Sequence, residues 1–110
     1  MESEENGIRA ASEGVKVGDV DAAARGRLRG AGLARYFIHR TGHGLGLEVH
    51  EAPYIVEDGK ELLRRNMCFT VEPGVYIPGK LGVRIEDDVY MSGKHGEAIT
   101  DTPKEFGWWK

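Results

Sequence analysis

Glu72 and Glu86 are two carboxylates placed to share one cation. They sit at matching positions in two strand-like runs, 67–77 and 82–90, joined by the turn sequence Pro78-Gly79-Lys80. A hairpin centred on Gly79 pairs residues whose numbers total 158, and Glu72 and Glu86 satisfy that register. Directly opposed side chains lie about 4.5–5.5 Å apart at Cβ, where like charges repel unless something holds them. A divalent ion would. Three histidines, His39, His43 and His50, fall within the segment Ile38-His-Arg-Thr-Gly-His-Gly-Leu-Gly-Leu-Glu-Val-His50 just upstream. Mixed imidazole and carboxylate donors suit manganese, cobalt, zinc or iron better than calcium.

Strand alternation puts residues 70, 72, 84, 86 and 88 on one face of this hairpin. Thr70, Arg84 and Asp88 then flank the two glutamates, and the face is too polar for packed core. The opposite face, Phe69, Val71, Val83, Ile85 and Val89, is apolar and is expected to pack on helices. A plainer reading stands beside the metal site: Glu72 and Glu86 paired with Arg84 and Lys80 on a solvated sheet, and the histidines simply hydrogen-bonded. Cys68 reads as an inert, buried thiol. Trp108 and Trp109 read as packing or interface residues.

The elements that must position these groups follow from capping and periodicity. Ser3 is placed to cap a first helix supported by Glu4 and Glu5, with Ile8, Ala11 and Val15 on one face. Asp19 is placed to cap a second, with Val20, Ala23, Ala24 and Leu28 at helical spacing and Gly30 or Gly32 as the stop. Tyr36-Phe37-Ile38 then enters a strand. Gly42, Gly44 and Gly46 interrupt regular structure and let backbone pass close to a ligand or another strand. Residues 57–66 form a loop turning at Asp58-Gly59, and a last strand runs over 97–100 before the aromatic tail. The expected fold is α+β: two helices, within about 4–30, packed on an antiparallel sheet whose site-bearing strands lie within about 36–100.

One domain accounts for 110 residues, and a net charge of −3 with both signs interspersed gives no reason to expect nucleic-acid or membrane-surface binding. The single cysteine cannot form an intrachain disulfide, the first residues are acidic and polar, and no apolar run reaches membrane-spanning length. The expectation is a cytoplasmic protein.

The strings Ile38–Pro53, Phe69-Thr-Val-Glu-Pro-Gly-Val-Tyr76 and Gly82-Val-Arg-Ile-Glu-Asp-Asp88, in this order and spacing, closely resemble the Xaa-Pro aminopeptidase and prolidase family. Those are dinuclear metallopeptidases of the pita-bread fold. The resemblance runs from about Ile8 to Glu105 and includes Val17-Gly-Asp-Val-Asp-Ala-Ala-Ala-Arg25. It implies His43 as the single histidine ligand, Glu72 as a carboxylate ligand on the same metal, and Glu86 as the carboxylate bridging two metals. It further implies His50 as the residue that hydrogen-bonds substrate and the developing tetrahedral intermediate. His39 would line the substrate site near the proline pocket, and Arg84 would stand behind the bridging carboxylate. In such a site the metals make a water nucleophilic near neutral pH, and Glu72 shuttles its proton to the leaving amine.

Two aspartates from a hairpin in the first half of that catalytic domain complete the family's ligand set. Asp19 and Asp21 fall in a helical stretch and match a different part of the pattern. The chain thus resembles the second half of the pita-bread fold, a partial catalytic domain over 1–110. It is expected to hold at most one divalent ion where the full site holds two, manganese first and cobalt or zinc next. The implied substrate is a peptide containing proline, and the implied association is a homo-oligomer or the N-terminal half as a partner chain. The alternative is a catalytically silent split or truncated fragment that serves as an interaction module.

Overall fold

The computed structural model describes residues 1–104; the aromatic tail named above, Phe106, Trp108 and Trp109, lies outside the described residues. Two helices, α1 (Glu2–Ala10) and α2 (Val17–Gly30), pack on a five-stranded antiparallel sheet. The strands of that sheet are β1 (Gly42–Gly44), β2 (Glu51–Ile55), β3 (Cys68–Val71), β6 (Asp87–Tyr90) and β7 (Glu97–Ala98), in the order β2-β1-β3-β6-β7. A separate two-stranded ribbon is formed by β4 (Gly74–Ile77) and β5 (Leu81–Arg84). The architecture is the α+β arrangement expected. No helix among the described residues is long and apolar enough to cross a membrane.

The core lies between helices and sheet. Val17, Val20, Ile55, Leu63, Phe69, Val71, Val89 and Met91 are buried there together, with Ile8 and Val15 packed against them. Both helices begin before the serine or aspartate expected to cap them. Helix α1 starts at Glu2, and the Ser3 hydroxyl donates instead to the Ala24 carbonyl at 2.7 Å, a buried tie between the helices. Helix α2 starts at Val17, leaving Asp19 inside its first turn, where its charge still favours the helix dipole. Gly30 ends α2, and Gly32, at φ 72°, carries the chain away from it.

The hairpin register holds along its whole length, but the hairpin is not one ribbon. Thr70 pairs with Asp88 and Val71 with Asp87 in the large sheet, whereas Gly74 pairs with Arg84 and Tyr76 with Gly82 in the small one. The break falls at Glu72-Pro73. Pro73 has no N–H to give the ladder, and the Glu72 N–H turns to the Thr41 carbonyl at 2.7 Å. Among the described residues, the Ile85 N–H to Pro73 carbonyl bond, 3.3 Å, is the backbone link across the gap. The break also corrects the expected core. Phe69, Val71 and Val89 are buried against the helices, but Val83 is 39 % exposed and Ile85 only half-buried, because they belong to the ribbon side of the break.

Two further expectations are corrected. Tyr36-Phe37-Ile38 forms no strand: Ala34–Tyr36 is a short 3-10 turn, and the carbonyls of Phe37 and His39 are taken by the Arg25 guanidinium rather than a neighbouring strand. Conversely, Gly42–Gly44 is a strand, not a break. It is buried between β2 and β3 so tightly that a Cβ at Gly42 would fall 1.7 Å from the Thr70 carbonyl oxygen, and one at Gly44 2.2 Å from that of Ala52. The last strand is shorter than expected, Glu97–Ala98.

The ribbon's apolar side, Val75, Ile77, Leu81, Val83 and Ile85, forms one wall of a cavity of about 410 Å³ closed on the other side by Leu28 and Leu33. An apolar concavity of this kind invites association. The chain is expected to self-associate at micromolar concentration, and Leu81→Lys with Val83→Lys to return it to monomer. Sedimentation velocity checks this; a monomeric wild type would show that the concavity is tolerated in water.

Candidate metal centre

His43 stands in the middle of β1, and its flanking glycines are what let the strand seat between its two neighbours. Its backbone N–H donates to the Thr70 hydroxyl at 3.1 Å, and its side chain is 8 % exposed. The ring Nδ1 lies 3.0 Å from the Gly44 carbonyl. A carbonyl only accepts, so Nδ1 carries the proton and Nε2 presents a lone pair. That lone pair faces the Glu72 carboxylate at 3.7 Å. Two bonds of about 2.1 Å to one ion span at most about 4.2 Å, so the separation fits a shared ion.

Glu72 and Glu86 are brought together across the break, as the register requires. Burial first, and then the neighbouring Glu72 charge and a hydrogen bond with it, push the Glu86 carboxyl above its ordinary range. Two carboxylates facing each other repel, and a cation between them would relieve that repulsion. Arg84 offsets part of the repulsion, with its Nε 3.6 Å from Glu86 Oε2. Among the described residues, no group of three or more His, Cys, Asp or Glu side chains converges as a ready cluster of ligands. The donors are paired, His43 with Glu72 and Glu72 with Glu86, and Arg84 competes for the last of them.

These groups line one cavity of about 470 Å³, together with Thr70, Asp88, His50 and the loop 45–49. The His50 ring stands 4.3 Å from that of His43, centroid to centroid, at 65°. His50 is exposed, so it faces the cavity with a free edge.

His39 is not among the residues lining this cavity. Its Nδ1–H donates to the Arg40 carbonyl at 2.7 Å, and its Nε2 accepts from the Tyr76 hydroxyl at 3.2 Å. Its ring is held edge-on between Phe37 and Tyr76. Tyr76 is the residue that sequence reasoning passed over. It also neighbours Arg84 and raises the guanidinium's pKa, so the polar path runs His39, Tyr76, Arg84, Glu86. Its outward place in the alternation of β4 was the available signal. Cys68 is half-buried rather than buried, and desolvation followed by the Asp88 charge pushes its thiol up.

Residues 1–92 match the family described as metallopeptidase family M24. The chain belongs to this metallopeptidase family, which implies a divalent metal. Among its relatives, the Xaa-Pro dipeptidase of Lactobacillus helveticus is 43 % identical over 104 residues, covering 94 % of this chain and 28 % of that protein. A dipeptidase of Pyrococcus horikoshii superposes with a TM-score of 0.91 at 50 % identity, covering 94 % of this chain and 29 % of that one. A prolidase of Thermococcus sibiricus does so at 0.92 and 49 % identity, covering 94 % and 28 %. The chain therefore spans less than a third of the relatives it matches, and its fold is a portion of theirs.

Proposed function

We propose that residues 1–110 are part of the catalytic domain of a metal-dependent dipeptidase or aminopeptidase acting at Xaa-Pro bonds, with His43, Glu72 and Glu86 as metal ligands. The observation that carries the reading is the His43 tautomer. A buried imidazole whose Nδ1–H is committed to its own strand, with Nε2 aimed at one of two facing carboxylates, is a ligand set in waiting. Imidazole with two carboxylates favours manganese, with cobalt or zinc next. A divalent ion there supplies a Lewis acid and lowers the pKa of water to about 7.

The chain's own residues supply the rest. Glu72, beside His43 and facing the cavity, takes a proton and returns it to the departing amine. His50, exposed at the rim, donates to the oxyanion that develops on the scissile carbonyl. His39, Tyr76 and Arg84 hold Glu86 in place from behind. A peptide with proline is the substrate class, suggested by the relatives named for Xaa-Pro cleavage. The lone, half-buried Cys68 is in keeping with a reducing cytoplasm.

Calorimetric titration of the chain with manganese or zinc tests the ligand assignment. One weak site is expected. Glu86→Gln should weaken it at least about tenfold while leaving the metal-free chain no less stable, since it relieves repulsion across the break. Two tight sites would mean that the chain holds further ligands, and marked destabilisation of the metal-free variant would mean that Glu86 serves instead as a salt-bridge partner.

The exposed apolar side of the β4–β5 ribbon favours a second reading, a silent fragment acting through association. Self-association without any metal binding would support it.

A further inference from the structure

Helix α2 carries a buried ion pair that the site as described does not use. Asp21 is fully buried, and the Arg25 side chain is 10 % exposed. The pair is a two-pronged fork, Nε to Oδ2 at 2.9 Å and Nη2 to Oδ1 at 3.0 Å. Such a pair is weak evidence for stability, because desolvating both charges offsets most of their attraction. Its use lies in what else it holds. Arg25 Nη1 donates to the Phe37 carbonyl at 3.0 Å and Nη2 to that of His39 at 3.2 Å. The guanidinium also stacks on the Phe37 ring at 4.1 Å, the ring that packs edge-on against His39. Asp21 Oδ1 accepts the Thr41 hydroxyl at 2.6 Å, and the Thr41 carbonyl in turn accepts the Glu72 N–H at 2.7 Å.

One fork on α2 therefore grips the chain at residues 37, 39 and 41, immediately before His43. Its Thr41 arm ends on the backbone of Glu72 at the strand break. We infer that Asp21 and Arg25 are positioning residues, setting the spacing of His39, His43 and Glu72 through the Phe37 and His39 carbonyls and Thr41. The inference rests on the metal-centre reading for its purpose, but the geometry it asserts is independent of any ion. Thr41 is tied by backbone bonds to Ile55 at 2.9 Å and to Glu72, but residues 37–40 belong to no strand, and there the fork supplies the restraint that a ladder would. Lysine cannot replace arginine here, since one ammonium cannot span two carbonyls and a carboxylate in a plane.

The test uses the whole chain with four variants and manganese chloride as the probe, His43→Ala serving as the control for loss of a ligand. Arg25→Lys removes the fork. Thr41→Val removes only the hydroxyl arm. Leu28→Ala, on the same helix but outside this hydrogen-bond network, is a control for simple loss of packing. Imidazole nitrogen and carbon-bound proton resonances are recorded without metal, and manganese affinity is measured where every variant is folded.

Arg25→Lys is expected to move the His39 resonances and Thr41→Val those of His43. Each should weaken manganese binding by roughly tenfold, the scale seen when groups behind a ligand are lost. Leu28→Ala should change neither. Wild-type resonances in both hub variants, or equal changes in the control, would overturn the inference. If Arg25→Lys does not fold, Thr41→Val decides. If manganese binds the wild type no better than His43→Ala, the metal reading fails, and the imidazole resonances alone decide the positioning claim.

Discussion

Alone, the 110-residue chain is expected to leave an Xaa-Pro dipeptide essentially uncleaved, even with added manganese. His43, Glu72 and Glu86 are donors enough for about one ion, whereas a two-metal clamp needs further ligands to fix the second. His50 and Glu72 remain, but general acid–base assistance is worth typically 10²–10⁴-fold, too little without an activated nucleophile. Fusion to a segment bearing two aspartates in a hairpin should restore turnover. In that fusion His43→Ala should then remove activity by about 10³-fold or more, because the proposed site would lose its imidazole ligand. Steady-state hydrolysis of a proline dipeptide, with and without the fused segment, measures this. Robust turnover by the isolated chain, abolished by His43→Ala, would show that fewer ligands suffice.

The second large effect is in stability. Glu4 on α1 is fully buried beside Asp87 of β6, itself fully buried, and Lys104 reaches both, with its Nζ 2.9 Å from Glu4. Among the described residues, Glu4 Oε2 and Asp87 Oδ1 have no hydrogen-bond partner. Burial, and then the neighbouring Asp87 carboxyl, push Glu4 up from 4.5 to about 7, with Lys104 opposing. A carboxyl raised on folding favours the folded state while protonated. Its contribution is complete below pH 4.5 and is lost as pH rises through about 7. That interval, at about 1.4 kcal/mol per pH unit, corresponds to about 3 kcal/mol. Glu4→Gln keeps the shape and a donor for Asp87 but never ionises. It should therefore stabilise the chain at pH 8 by about 2 kcal/mol or more and do little at pH 5. Urea unfolding at the two pH values checks it. Parallel losses at both would mean that the Lys104 bridge, not the burial of charge, governs Glu4.

Much of the site is legible in the sequence, for a local reason. Alternation and a turn centred on Gly79 are short-range properties, so the register that opposes Glu72 and Glu86 follows from spacing, and it holds on both sides of the break. The glycines around His43 likewise announce close approach of another backbone, which proves to be strands β2 and β3. What spacing cannot decide is which partner each group chooses from elsewhere in the chain.

Ser3 had a cap available and turned to Ala24 instead; Phe37 looked like strand and was taken by Arg25. The Glu72 N–H had Glu86 opposite and chose Thr41. Asp87 reads as one more acid beside Glu86, yet it is buried against Glu4, a helix residue near the other end of the chain. In each case a single hydrogen bond or ion pair between distant segments outweighed the local preference, because a buried polar group left unpaired costs more than a cap or a ladder bond returns. Sequence alone determined which residues could make a metal site and how the two glutamates face each other. Tertiary structure decided that His43 offers Nε2, that His39 stands back from the cavity behind Tyr76, and that the ion pair on α2 holds the approach to both histidines.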